Sequence, residues 1–339
     1  MKEKFKAAIL RKLKTNLDLE YLEHTGLEPG QVKVRLITSS LCGAQINEIY
    51  GIKGDDKYLP HLMGHEGYGI VVESSENTRN LQEGDHVILH WRKGKGADVM
   101  GGKYLDISGN YVGSGPVTTF AEYTIVSENR VSKIEPNDSM KYIYPLVGCA
   151  LSTSYGVVKY DCNPKPKSKV LLAGAGGLGL AIAFWLRILG EHEVVLFDKS
   201  KDKQALAMKF ADNYISDISA LNGSFDFCID TTGNVECIST LFNLLGKNSK
   251  LLLVGQPKLN STLKLYNPLK IFDGIKIQSS DGGNFNPDID LNNILALLEE
   301  NIDLANELIT HKISLDDVNK GFNMMLSGDV GRVVIDFEI

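Results

Sequence analysis

Cysteine is scarce in this sequence, with five among 339 residues, at positions 42, 149, 162, 228 and 237. A secreted disulfide scaffold needs dense, paired cysteines in a short chain, so that class is excluded and a reducing cytoplasm is the expected setting. Positive charge is also in short supply. Lys plus Arg number 36 against 42 Asp plus Glu, a net charge of −6. With no basic tract to offset this, nucleic acid and anionic membrane are excluded as general partners. Long apolar runs are missing too. Val170 to Leu186 carries no charge over 17 residues, but it falls short of the ~18 or more that a membrane-spanning helix needs. Glycines crowd its first half, so a strand, a tight turn and a helix are expected there. The basic opening MKEKFKAAILRKLKTN is interrupted at Arg11 and Lys12 and does not have the pattern of a secretory signal.

What is present suffices for a globular protein of about two domains: 43% hydrophobic residues and no low-complexity segment. Roughly the first 150 residues read as short strands and turns. Gln31 to Thr38 alternates at period two, Gly67 to Glu73 is rich in β-branched residues, and a further strand follows the turn at Glu83-Gly84. From Ser168 the rhythm changes to apolar strands alternating with helices: KVLLAG, EVVLFD, FDFCIDTTG and KLLLVGQP. Strands that are apolar almost throughout belong in a parallel sheet covered on both faces, the doubly wound α/β arrangement. After Pro287 come helices from about Leu291 to Asn301 and from about Leu315 to Leu326, then the strand RVVIDFEI. That last strand needs an edge to pair with, so the tail is expected to return to the first domain.

Gly174-Ala175-Gly176-Gly177-Leu178-Gly179 matches G-x-G-x-x-G directly after one of these strands and before a helix. A hexapeptide of this kind also serves simply to pack a strand against a helix. Its context favours a dinucleotide site, because the next strand ends in Asp198, 19 residues beyond Gly179, where a carboxylate meets the adenosine ribose. Gly174 allows the turn, Gly176 lets the backbone approach a pyrophosphate, and the helix amides face its charge. Asp198 would repel a 2′-phosphate, so NAD is expected over NADP, a preference softened by Lys199 and Lys203 nearby.

Cys42, His65, Glu66 and Cys149 supply thiolate, imidazole and carboxylate, the donors zinc takes in tetrahedral sites. Taken one at a time, each cysteine reads more readily as a small buried hydrophobe and His65 as a hydrogen-bonded core residue.

At this point the chain resembles the zinc-dependent medium-chain dehydrogenase/reductase family, the alcohol dehydrogenase superfamily, over essentially its whole length. The resemblance rests on CGAQINEIYG, GHEGYGIVVE, TTFAEYTIVSENRVSKI, GCALSTSYG, GAGGLG with Asp198, and LITHKISLDDVNKGF before SGDVGRVVIDF. It implies a GroES-like catalytic domain over 1–150, completed by 283–339, and a Rossmann NAD-binding domain over 151–282. It also implies one catalytic zinc held by Cys42, His65 and Cys149, with Glu66 ligating when water or substrate is absent. Thr153 resembles a nicotinamide contact, Leu178 the side chain behind the nicotinamide ring, and Arg332 a residue near the pyrophosphate. Trp91 resembles a wall of the substrate pocket, beside Ala44 and Asn47. The implied reaction passes a hydride between NAD(H) and an alcohol or carbonyl on a small molecule, in a cytoplasmic homodimer or dimer of dimers joined through the edge strand IKIQSSD.

Four departures from the family matter. No cysteine lies between 42 and 149, so a second, structural zinc is not expected; HWRKGKGADVMGGKYLDISGN occupies that span. Ala44 stands where alcohol-oxidising relatives carry a hydroxyl that relays the substrate proton. Gln45 replaces an aspartate that supports the zinc-bound imidazole, and Asn47 replaces a shuttle histidine. His61 and His90 are candidates for the proton's route, each with a structural reading beside it. Arg92, Lys93 and Lys95 read as a solvated basic loop or as a receptor for a substrate phosphate or carboxylate. The leading expectation is a zinc- and NAD-dependent dehydrogenase of a polar, polyol-like or sugar-derived secondary alcohol. A zinc-free NADPH-dependent reductase and a non-catalytic NAD- or zinc-binding protein of the same fold are the alternatives.

Overall fold

The computed structural model describes residues 4–52, 54–328 and 330–339. The α/β expectation holds. Six parallel strands run in the order Asn213–Ile215, Glu193–Phe197, Lys169–Ala173, Phe225–Asp230, Leu245–Leu253, Lys276–Ser279. In chain order this is 3-2-1-4-5-6, the Rossmann arrangement. Its strand order reverses between Lys169–Ala173 and Phe225–Asp230, which opens a crevice at their carboxyl ends. The near-continuous apolar strands pack on both faces: Val170, Leu171, Leu172, Cys228 and Ile229 are fully buried.

The β-rich part contains a closed barrel of Lys4–Leu10, Asp18–His24, Tyr104–Asp106, Tyr111–Ser114 and His61–Leu62. Beside it lies a second, mixed sheet centred on Gln31–Ser40. The closing strand Arg332–Asp336 pairs antiparallel with Gln31–Ser40 and parallel with Ile309–Ile313. The tail therefore returns to the β-rich part, as its unpaired strand required. One hydrophobic cluster runs from Ile37, Tyr68 and Ile88 through Leu151 to Trp185 and Leu196, so both parts share a core. The buried indole of Trp185 donates to the carbonyl of Leu151 at 2.9 Å across that junction.

Two helices differ from their sequence boundaries. The first begins at Pro287 rather than near Leu291, because Asn286 caps it and Pro287 is preset for a first turn. The last opens as a 3-10 turn, Leu315–Asp317, before the α-helix Val318–Ser327. Among the described residues no helix is long and apolar enough to cross a membrane.

The cysteine-free span 90–110 folds as a loop over 90–103 followed by the barrel strand Tyr104–Asp106, which pairs with Tyr111–Ser114. Carboxylates tie it down. Arg11 pairs with Glu20 and, at 3.0 Å, with Asp106. The buried carboxylate of Glu128 accepts the backbone N–H groups of Arg79, Asn80 and Ala97 at 2.8, 3.1 and 2.9 Å.

Candidate metal centre and dinucleotide site

Cys42 lies two residues past the strand Gln31–Ser40 and caps the short helix Gly43–Ile49, a helix that reading the β-rich part as strands and turns misses. His65 leads into the strand Gly67–Ser74, and Cys149 caps the helix Ala150–Gly156. These three elements bring one ligand atom each from Cys42, His65 and Cys149 within 4.8 Å of one another. Two sulfurs and one ring nitrogen at that separation suit a tetrahedral ion with metal–ligand bonds of about 2.0 to 2.3 Å, and leave its fourth position free. The three groups interact strongly: the hydrogen bond with Cys42, and burial, push the Cys149 thiol well above its ordinary value. The hydrogen bond from Cys149, together with His65, holds the Cys42 thiol well below its ordinary value. Burial would lower His65, but the neighbouring Cys42 and Glu66 push its imidazole up to about 9.

Glu66, predicted as an occasional fourth ligand, does not join them. Its buried carboxylate is taken up by Arg332 and by Ser40 Oγ at 2.7 Å, and it also accepts the N–H of Ala150 at 3.2 Å. Burial raises its carboxyl, and the Arg332 charge pulls it back. Arg332 reaches further than the pyrophosphate role suggested by sequence: a Cβ added at Gly177 would collide with its aliphatic stem, while its guanidinium holds Glu66. One side chain thus spans from the start of the cofactor helix to the wall of the metal centre. Ser40, with no sequence signal of its own, completes that link.

Gln45 is corrected as well. Its Oε1 accepts the Cys42 N–H at 2.8 Å, so the acceptor expected to support His65 is spent on the helix start, and its buried Nε2 has no partner. His90 is structural: buried, with one ring nitrogen on the Arg92 carbonyl at 2.7 Å and the other on Ser132 Oγ at 2.9 Å. In the basic loop Arg92 donates to the Asp281 carbonyl at 2.6 Å, and Lys93 pairs with Asp98 at 2.6 Å. Two of the three cations are therefore already matched, which weakens the reading of this loop as an anion receptor. Trp91 packs its ring on Gly282, where a side chain would collide with it, and its indole N–H is buried without an acceptor. Ala44 and Asn47 lie half-buried on the helix that follows Cys42.

The glycine-rich turn sits at the crevice. Gly174 has φ +103°, and a Cβ at Gly179 would strike the Gly174 carbonyl, so both need glycine. Nothing lies within 4 Å of a Cβ position at Gly176, which leaves the backbone open to a ligand. The helix Gly177–Leu189 starts there with no side-chain cap, its first amides free to meet a phosphate. Asp198, just past Glu193–Phe197, accepts from the Ala175 N–H at 2.8 Å and from Lys203 Nζ at 3.1 Å. Lys203 is thus the carboxylate's ion-pair partner. Leu178 is half-buried on that helix, and Thr153 is buried one turn after Cys149.

Comparison with known proteins agrees with this architecture. Residues 28–136 match the family model for the alcohol dehydrogenase GroES-like domain, and residues 177–300 match that for zinc-binding dehydrogenase. Alcohol dehydrogenase 1 of Trifolium repens is 26% identical over 376 aligned positions, covering 99% of this chain and 97% of the relative. A crystal structure of an alcohol dehydrogenase zinc-binding domain protein from Burkholderia ambifaria superposes with a TM-score of 0.89 at 21% identity, covering 99% of both chains. Benzyl alcohol dehydrogenase from Acinetobacter calcoaceticus gives 0.86 at 20% identity, over 98% of this chain and 99% of that one. Fold and site together define a zinc-dependent, dinucleotide-binding oxidoreductase, and the chain belongs to the zinc-containing alcohol dehydrogenase superfamily.

Proposed function

We propose that this protein transfers a hydride between NAD(H) and a polar, polyol-like secondary alcohol at a single zinc centre formed by Cys42, His65 and Cys149. The convergence of those three donors on one point carries the reading. Bound there, zinc supplies Lewis acidity toward the substrate oxygen. The chain's own groups do the rest. With the metal displacing their protons, Cys42 and Cys149 would provide negative charge and His65 a neutral donor, while Ser40 and Arg332 hold Glu66 beside them. The amides after Gly176 take the pyrophosphate and Asp198 the adenosine ribose, with Lys203 steadying the carboxylate. Thr153 and Leu178 flank the nicotinamide.

Substrate polarity is inferred from the pocket side. Ala44, half-buried beside Cys42, offers no hydroxyl to relay the substrate proton, so a substrate with a hydroxyl next to the reacting carbon can supply its own. With Arg92 and Lys93 already paired, a neutral polyol is preferred to an anionic sugar derivative. NAD is preferred to NADP because Asp198 would face the 2′-phosphate. The domain division follows as 1–150 with 283–339, and 151–282.

A homodimer is also proposed. The edge strand Lys276–Ser279 is exposed along its whole length, and Leu269 and Phe272 just before it are 75% and 88% exposed, a patch a second copy would cover. Light scattering reporting only a 37.3 kDa particle would rule it out. For the reaction, the test is NADH formation by the zinc-loaded protein on simple secondary alcohols and polyols. Turnover confined to short unsubstituted alcohols would remove the polar-substrate part. No turnover on any of them would remove the whole reading.

A further inference from the structure

We infer that His61, positioned by Asp56, is a specificity-determining residue whose Nε2 binds a substrate hydroxyl remote from the reacting carbon. The inference rests on the polar-alcohol reading above and deepens it. His61 Nδ1 sits 2.7 Å from the carboxylate of Asp56, and the Tyr58 N–H donates to the same carboxylate at 2.8 Å. Burial pushes the Asp56 carboxyl up, but these two bonds leave it lowered, so it stays an acceptor. An acceptor on Nδ1 fixes that nitrogen as the N–H and leaves Nε2 as the free lone pair. The residue is only 9% exposed, yet among the described residues Nε2 has no hydrogen-bond partner. Nε2 itself is not sealed from its surroundings, so a hydroxyl entering the gap beside it can donate to its lone pair.

Strand geometry says which way it faces. Leu62 points into the barrel core with Phe5, Ile9 and Val112. Alternation therefore turns His61 to the opposite face, together with Met63. On that face its cross-strand partner is Leu10, and both Leu10 and Met63 belong to the cluster that includes Leu41 and Ile49. Those two residues bracket Cys42 and the helix carrying Ala44 and Asn47, so the imidazole lies on the side of the barrel that the metal-centre helix covers. On its other flank, just past the neighbouring strand Tyr111–Ser114, stands a glycine: a Cβ added at Gly115 would have only the Val117 carbonyl, at 3.7 Å, and His61 Nε2, at 3.9 Å, within 4 Å. Space is thus left open beside the free nitrogen. Four residues of chain separate His61 from His65, a span of at most ~14 Å between their Cα atoms. A polyol with one carbon at the metal can reach across much of that interval, whereas a short alcohol cannot.

The test compares wild type, His61→Phe and Gly115→Ala on 2-butanol and on ribitol with NAD, following kcat and KM separately alongside the melting temperature. We expect the ratio of kcat/KM for ribitol to that for 2-butanol to fall about tenfold in His61→Phe, mostly through KM. Gly115→Ala, whose added methyl has ordinary contact distances, should move it in the same direction. An unchanged ratio in both variants would overturn the assignment of His61 and leave the zinc-dehydrogenase function standing. If His61→Phe fails to fold, Gly115→Ala decides alone by the same ratio. Wild-type turnover of 2-butanol but not ribitol would remove the polar-substrate reading and this inference with it.

Discussion

The parallel-sheet region and the β-rich region assemble their sites in opposite ways. In the first, the groups proposed to meet the cofactor come from one short stretch of backbone: the turn from Gly174 to Gly179, with Asp198 one strand later and bonded to the Ala175 N–H. In the second, three side chains at positions 42, 65 and 149 converge only because three separate elements do. A backbone-built site survives in sequence as a contiguous motif, while a side-chain-built site survives only as scattered residues.

That contrast can be broken experimentally, beginning with the strongest expected effect. Cys42→Ser should lower kcat/KM about 10³-fold or more while NADH binding, followed by fluorescence, is retained. Parallel loss of NADH binding would show that the two sites are not separable. Gly176→Val is the converse: its Cβ meets no protein atom, so the chain should fold and keep its metal while KM for NAD rises about 100-fold as the side chain blocks the pyrophosphate. Steady-state kinetics with metal analysis checks both halves. Asp198→Ala should shift the NAD-to-NADP ratio of kcat/KM toward NADP by about 10- to 100-fold, and an unmoved ratio would reassign the ribose contact.

The smallest effect sharpens the comparison inside the β-rich region. Glu128 ties the 92–102 loop to the segment around Arg79 by hydrogen bonding alone. Burial would raise its carboxyl, but the Ala97, Arg79 and Asn80 amides leave it below the ordinary value of 4.5. A depressed folded value means the stabilisation is complete above the ordinary range and fades as pH falls through the lower folded value. Glu128→Gln should cost about 1 to 3 kcal/mol at neutral pH and flatten the acid limb of the stability curve. Denaturant melts between neutral and acidic pH test this, and identical acid limbs in variant and wild type would contradict it.

The same contrast explains what could be read from the chain. The doubly wound sheet was legible because strands buried on both faces read as apolar runs, and Gly174 to Gly179 because Gly174 and Gly179 need glycine and Gly176 leaves the backbone open. The zinc-site candidates needed the resemblance of whole segments, since Cys42 or Cys149 alone is indistinguishable from a core residue. Three features were not legible at all: the Glu66–Arg332 link, the spending of Gln45 on the Cys42 amide, and the Asp56–His61 pair. Each depends on a side-chain rotamer or a long-range contact, 266 residues apart for Glu66 and Arg332. For Arg92 and Lys93 local sequence could not separate a solvated loop from an anion receptor, because it shows a cluster of cations but not Asp281, which meets Arg92 from 189 residues away.

The most direct test is a metal count by mass spectrometry on protein purified with zinc and dialysed, in wild type and in Cys42→Ser. One zinc per chain in the wild type and almost none in the variant is the predicted result. A wild type without zinc, or a variant that retains its full complement, would contradict a single metal centre built from Cys42, His65 and Cys149.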